Sequence, residues 1–265
     1  MRIWHQSFAD LKTLPIYADR LGLHASQIVA SETRVDVHGM PATAPTSAVR
    51  YPFVEYVMHK AILDAVSDAE RMGYDAVTLG CFNDPVLREA RSLVDIPVLG
   101  LAETAILVGC FYGRRLGLVT TCASEAEAAR ELVEGYGLSA RVAAYVTLAP
   151  EYSEDDLEEI GDSWPESLLD SVERAYSRCI GLGAEVVIPA EGVLNEWLVA
   201  ARWEGLEPAA LVDAMGLLWK QAEAMVDQRK SLNMTVSRQR YYRKPAGREA
   251  EQFGMLFGSA DVPAH

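Results

Sequence analysis

Positive charge is scarce in this chain: 24 Lys and Arg stand against 38 Asp and Glu, for a net charge of -14. Nucleic acids and anionic membranes are held by clustered Lys and Arg, so neither is an expected partner. No apolar run approaches the ~18–20 residues that a spanning helix needs. The opening Met1-Arg-Ile-Trp-His-Gln6 also lacks the long apolar core of a signal peptide. A cytoplasmic location is the expectation. Cysteine is sparse: Cys81, Cys110, Cys122 and Cys179 form no Cys-x-x-Cys pair and no disulfide framework, which suits free thiols in a reducing compartment. The histidines (His5, His24, His38, His59, His265) show no ligand spacing such as His-x-x-x-His, so no metal site is expected. There is no P-loop and no Gly-x-Gly-x-x-Gly; Gly135-Tyr-Gly137 is a fragment of the latter and reads as a helix end. Asn233-Met-Thr235 matches a glycosylation sequon, which means nothing without secretion.

What is present is an ordinary globular composition, 50% hydrophobic over 265 residues, enough to bury a core without disulfide or metal. Short β-branched runs alternate with longer amphipathic ones, the pattern of parallel sheet covered by helices. Strands are expected at 2–5, 34–37, 76–79, 97–99, 116–120, 142–146 and 185–188. Helices are expected at 54–72, 85–93, 103–112, 124–136, 166–182 and 209–230. In the first of these helices Val57, Ile62, Val66 and Ala69 are assigned to the buried face. The acidic stretch 150–162 reads as a solvated loop or helix start. Arg238-Gln-Arg-Tyr-Tyr-Arg-Lys244 is a small basic-aromatic patch, read as an exposed tail or a subunit contact.

An internal similarity points to a site. Gly73-Tyr-Asp-Ala-Val-Thr-Leu-Gly-Cys81 lies over Gly183-Ala-Glu-Val-Val-Ile-Pro-Ala-Glu191. Each begins on a helix-ending glycine, passes an acidic residue and an apolar strand, and ends on a reactive side chain before a helix start. Ligands bind at the carboxyl ends of strands in parallel α/β sheets, so Cys81 and Glu191 are expected to face one cleft. With Pro85 as a first helical residue, Cys81 would sit in the positive end of a helix dipole, which lowers a thiol pKa. Asn83 is placed to donate to a carboxylate or carbonyl, or to cap that helix. Cys110 and Cys179 fall inside helical patterns and read as structural, while Cys122 is near the expected cleft. His5 and His38 sit at strand ends, where each lines the cleft or is simply hydrogen-bonded.

The stretch 73–105, GYDAVTLGCFNDPVLREARSLVDIPVLGLAETA, resembles the first half-site of hydantoin racemases and their aspartate/glutamate racemase relatives. The motif Gly-Cys-Phe-x-Asp-Pro, then Val-Asp-Ile-Pro-Val and a Gly-x-x-Glu turn, carries the resemblance. Arg115–Thr121 is similar to the next strand and its hydroxyl-bearing loop, and Arg2-Ile with Gln6-Ser7 matches more loosely. The resemblance implies an α/β fold of two pseudo-symmetric subdomains, each a parallel β-sheet flanked by helices, with the active site between them. Approximate boundaries are 1–112 plus 206–265 for one subdomain and 113–205 for the other. It implies racemisation by two cysteines without a cofactor, a small-molecule substrate bearing a carboxylate or ring carbonyl, and a homo-oligomer. Ser7, Asn83, Thr120, Thr121 and Gly192 are then expected to be substrate-binding.

The departure from that family is at its second cysteine, whose place is taken by Glu191 while Gly183, Glu185 and Gly192 keep the pattern. Two thiols have equal intrinsic acidity and serve either hand of a substrate. A carboxyl near 4.3 and a thiol near 8.5 do not: the expected resting pair is a Glu191 carboxylate and a Cys81 thiol, with the swapped state roughly four pH units uphill. The first expectation is an isomerase moving a proton beside a carbonyl, with Cys81 and Glu191 as opposed acid and base. Alternatives are a decarboxylase using Cys81 as lone proton donor, a hydrolase or cis–trans isomerase with Cys81 as nucleophile, and a relative that only binds a metabolite.

Overall fold

The computed structural model describes residues 1–40, 51–163, 165–245 and 249. His265 and the end of the segment assigned to the first subdomain lie outside them. The first sheet contains β1 (Arg2–Gln6), β2 (Arg34–His38), β3 (Ala76–Leu79) and β4 (Val98–Gly100), in the order β2-β1-β3-β4. The second contains β5 (Leu116–Thr120), β6 (Val142–Thr147), β7 (Val186–Pro189) and β8 (Ala210–Leu211), in the order β6-β5-β7-β8. All pairings are parallel, and the two orders are the same when counted from the first strand of each half. β3 and β7 are buried along their whole length, which is why both read as unbroken apolar runs, whereas β6 alternates as an edge strand does.

Nine α-helices cover the sheets among the described residues: α1 (Pro15–Ile28), α2 (Pro52–Arg71), α3 (Leu87–Leu93), α4 (Leu101–Tyr112), α5 (Ala123–Gly135), α6 (Glu154–Ile160), α7 (Glu166–Gly181), α8 (Gly192–Ala200) and α9 (Ala214–Leu232). In α2 the buried stripe is Met58, Ile62, Val66 and Ala69. Val57 is 71% exposed, because a step of five residues to Ile62 turns it off the face that steps of three and four define. The expected helix 209–230 divides: 210–211 pair with β7, and Asp213 then caps α9 by accepting from the Gly216 N–H at 2.9 Å. The acidic stretch holds α6, begun by a capping box between Ser153 and Asp156.

The internal repeat is visible in the hydrogen bonds. Gly73 and Gly183, at φ +75° and +92°, end the helices before β3 and β7 in a conformation that favours glycine. The Asp75 carboxylate then accepts from the Arg2 N–H at 2.8 Å, and Glu185 accepts from the N–H groups of Arg114 and Arg115. Past the strands, Gly80 N–H donates to the Gln6 carbonyl at 2.8 Å and Ala190 N–H to the Val119 carbonyl at 2.7 Å. Cys81 and Glu191 follow at once. Near the chain's end, the Arg238 guanidinium donates to the carbonyls of Arg91, Val94 and Tyr242 and pairs with Asp95, so the patch 238–244 lies against α3.

Candidate active site

A cavity of about 460 Å³ opens where β3 and β7 end, and both Cys81 and Glu191 line it. Ser7, Asn83 and Gly192 line it as well, so five of the seven residues singled out from the sequence share one space. Thr120 and Thr121 do not line it. Thr120 is fully buried, its hydroxyl donating to the Cys122 carbonyl at 3.1 Å; the Thr121 hydroxyl donates to Glu125 at 2.8 Å. Thr121 thus holds in place a carboxylate that does reach the cavity. Cys122 is buried, its sulfur 3.2 Å from the Ser124 hydroxyl, and Cys179 is buried in α7.

The surroundings of Cys81 differ from those expected. Residues 84–86 form a turn in which Asp84 (φ 45°) and Val86 (φ 52°) are left-handed, so α3 begins only at Leu87 and has seven residues. Pro85 is not in the helix, and Asn83 does not cap it. Burial, then Glu55, Asp84 and Glu191, push the thiol well above its usual range; the Asn83 N–H alone opposes them. The helix-dipole lowering does not occur. The turn is anchored through Asp84, whose carboxylate accepts from the N–H groups of Ala102 (2.9 Å) and Glu103 (2.7 Å) at the start of α4. It also accepts from the Tyr136 hydroxyl of the second half at 2.6 Å.

Glu191 is the N-cap of α8, accepting from the N–H of Val193 at 2.9 Å and of Leu194 at 2.6 Å. Those bonds favour the carboxylate. Burial opposes them more strongly, aided by Glu125 and Glu154, and raises the carboxyl to about 8. Burial thus works against the carboxylate expected at rest on Glu191, as it works against a thiolate on Cys81.

The described cavity lining also carries Glu55, Glu125, Glu127, Glu131 and Glu154, and no Lys, Arg or His. His5 and His38 stay outside it. His5 is fully buried; its Nδ1 lies 3.1 Å from the Trp219 indole donor and 3.0 Å from the Thr78 hydroxyl, and burial lowers its pKa to about 3. His38 stacks on Trp4.

One lining residue went unread in the sequence. Tyr17, in the first turn of α1, is 3% exposed and lines the cavity together with Ser7, Cys81 and Glu191. A methyl added at Gly192 would stand 3.0 Å from that hydroxyl and 3.4 Å from the Gly80 carbonyl oxygen, so the two half-sites meet at the tyrosine. Only the Pro15-x-Tyr start of an unassigned helix pointed to it. A separate cavity of about 330 Å³, near Tyr112, Asp213 and Lys220, lies between β8, α9 and the ends of α1 and α4.

The family model described as Asp/Glu/Hydantoin racemase matches residues 24–222, three quarters of the chain. The chain belongs to this family. It is 29% identical over 119 residues to hydantoin racemase from Pseudomonas sp. (strain NS671), covering 45% of this chain and 47% of that protein. With hydantoin racemase from Paenarthrobacter aurescens the identity is 31% over 121 residues, 45% of this chain and 50% of the other. The chain thus spans about half the length of the curated relatives it matches. Its fold is similar to that of allantoin racemase from Pseudomonas fluorescens, with a TM-score of 0.74 at 21% identity over 94% of this chain and 98% of that one. Among the described residues no helix is long and apolar enough to cross a membrane, and no group of three or more His, Cys, Asp and Glu is arranged to hold a metal.

Proposed function

We propose that this chain is a cofactor-independent isomerase, a racemase or epimerase that moves a proton on a carbon next to a carbonyl. The observation that carries the reading is the shared cavity: Cys81 and Glu191 enter it from the carboxyl ends of pseudo-equivalent strands. Such a pair suits attack on opposite faces of one carbon. Glu191 as carboxylate takes the C–H proton, and the electron pair flows to the carbonyl oxygen. The Cys81 S–H then delivers a proton to the other face, leaving a thiolate and a protonated Glu191 that reset through solvent. Subdomains of 1–112 with 206–265, and of 113–205, would supply one group each; β8 crosses that division, since it pairs in the second sheet.

The described lining is rich in carboxyls and carries no described Lys, Arg or His, which favours a neutral hydantoin-like ring over a free amino acid. Ser7, Asn83 and the backbone at Gly192 are the proposed contacts to the ring, with Thr120 and Thr121 acting through the start of α5, which carries Glu125. The test is a pair of variants assayed on both hands of 5-substituted hydantoins. Cys81→Ala and Glu191→Gln are each expected to lower turnover by about a hundredfold or more while retaining the fold, in line with the loss of a positioned acid or base. Full activity in either variant would refute the two-residue mechanism.

A further inference from the structure

When a C–H next to a carbonyl is deprotonated, the charge settles on the carbonyl oxygen, and the rate depends on a donor already aimed there. In this cavity the donor cannot be a described cation, because the described lining has none and carries six carboxyls. Among the described lining residues the candidates are neutral O–H and N–H groups. The Ser124 hydroxyl is engaged with Cys122, and the Ser7 hydroxyl oxygen accepts from the Ala9 N–H at 3.2 Å. Asn83 lies in the Cys81 turn, on the acid's side of the cavity.

Tyr17 stands beside both half-sites. Its hydroxyl is 3.0 Å from where a side chain at Gly192 would begin, and that same point is 3.4 Å from the carbonyl oxygen of Gly80, the residue before Cys81. Glu158 of α6 accepts from the N–H groups of Ile16 (2.6 Å) and Tyr17 (3.0 Å), fixing the start of α1 that carries the ring.

We propose that Tyr17 is a third catalytic residue, donating its hydroxyl hydrogen to the substrate carbonyl oxygen on which charge develops during proton transfer. The inference rests on the carbon-acid reading above. The phenol keeps its proton throughout: Glu191 takes the C–H proton, Cys81 supplies the new one, and Tyr17 only strengthens its hydrogen bond as the oxygen gains charge. Burial first, then the neighbouring Glu191, Glu196 and Cys81, hold the phenol well above its ordinary pKa, so it remains a donor at any working pH.

The experiment compares wild type and Tyr17→Phe on a 5-substituted hydantoin and on its 4-thio analogue, with exchange of the C5 proton followed in heavy water. Sulfur accepts hydrogen bonds weakly. Tyr17→Phe should lower kcat on the hydantoin by about a hundredfold, the usual cost of one lost oxyanion donor, with KM changed less than about threefold. On the thio substrate the loss should shrink to a few fold, a difference that a purely structural role would not produce. Equal losses on both substrates, or no loss on either, overturn the proposal while leaving the isomerase reading standing. Absence of exchange by wild type on every hydantoin overturns both. Should Tyr17→Phe not fold, 3-fluorotyrosine at position 17 keeps the shape and makes the donor more acidic; an unchanged kcat in that protein overturns the proposal.

Discussion

At the scale of single residues, the proposed chemistry turns on Glu191, a carboxyl where the family resemblance implies a second thiol. Both groups are shifted in the same direction, since burial in an acidic cavity disfavours either anion. The raised Glu191 makes a sign prediction: below pH 8 its base form is the minor one. The kcat/KM of wild type should therefore rise about tenfold per pH unit on the acid side and level off as pH passes about 8. A profile flat from pH 5 to 9 would contradict the assignment of Glu191 as base. Glu191→Cys restores two like groups, so the kcat/KM values for the two hands should lie closer together than in wild type; an unchanged or wider gap contradicts the argument from unequal acids. Cys81 and Glu191 were legible because each closes a strand motif that sequence alone displays. The direction of the Cys81 shift was not, because it depends on Glu55 from α2 and on a turn at 84–86 that delays α3.

At the scale of elements, α1 is what the sequence hid most completely. Its apolar face is narrow and includes Tyr17 and His24 among its buried residues, so it does not show the aliphatic stripe that marks α2. His24 joins three helices: its Nδ1 lies 3.0 Å from Glu196 in α8 and its Nε2 3.0 Å from Asp213, the cap of α9. Asn195 donates to both carboxylates at 3.1 Å. Burial alone would lower the histidine, but hydrogen bonds and charge from Asp213 and Glu196 raise it to about 10. A group whose folded pKa exceeds its unfolded one stabilises fully below the unfolded value near 6.5 and loses that contribution as pH rises toward 10. Thermal unfolding should therefore show Tm falling between pH 7 and 10. His24→Ala, which leaves the buried Glu196 without its cation, should cost roughly 3–5 kcal/mol at pH 7 and flatten that fall. A variant as stable as wild type would show that the cluster holds nothing together. The split of 209–230 into β8 and α9 was missed for a related reason: two residues of edge strand carry no periodicity, and only Asp213 as a cap marks the restart.

At the scale of the whole molecule, the sequence displayed the duplication more clearly than the boundaries. The glycines at 73 and 183 and the acids at 75 and 185 have the same jobs in both halves, so an overlay of nine residues extends to two sheets of the same strand order. What the overlay could not convey is how the halves are tied across the cavity: Glu158 to the start of α1, and Tyr136 to the Asp84 turn. These contacts join residues more than 50 positions apart, and nothing local in the chain announces them. The net charge of -14 was plain in the sequence, but the gathering of carboxyls around the cavity became visible only once α5 and α6 were placed beside it. The central claim is that a carbon acid is deprotonated between Cys81 and Glu191. Its most direct test is proton–deuterium exchange by NMR in heavy water, using both hands of 5-substituted hydantoins alongside aspartate and glutamate. The account predicts exchange at C5 of the hydantoins, little on the free amino acids, and loss of exchange in Cys81→Ala. Exchange that persists unchanged in Cys81→Ala, or a hydrolysed or decarboxylated product with no exchange, would contradict it.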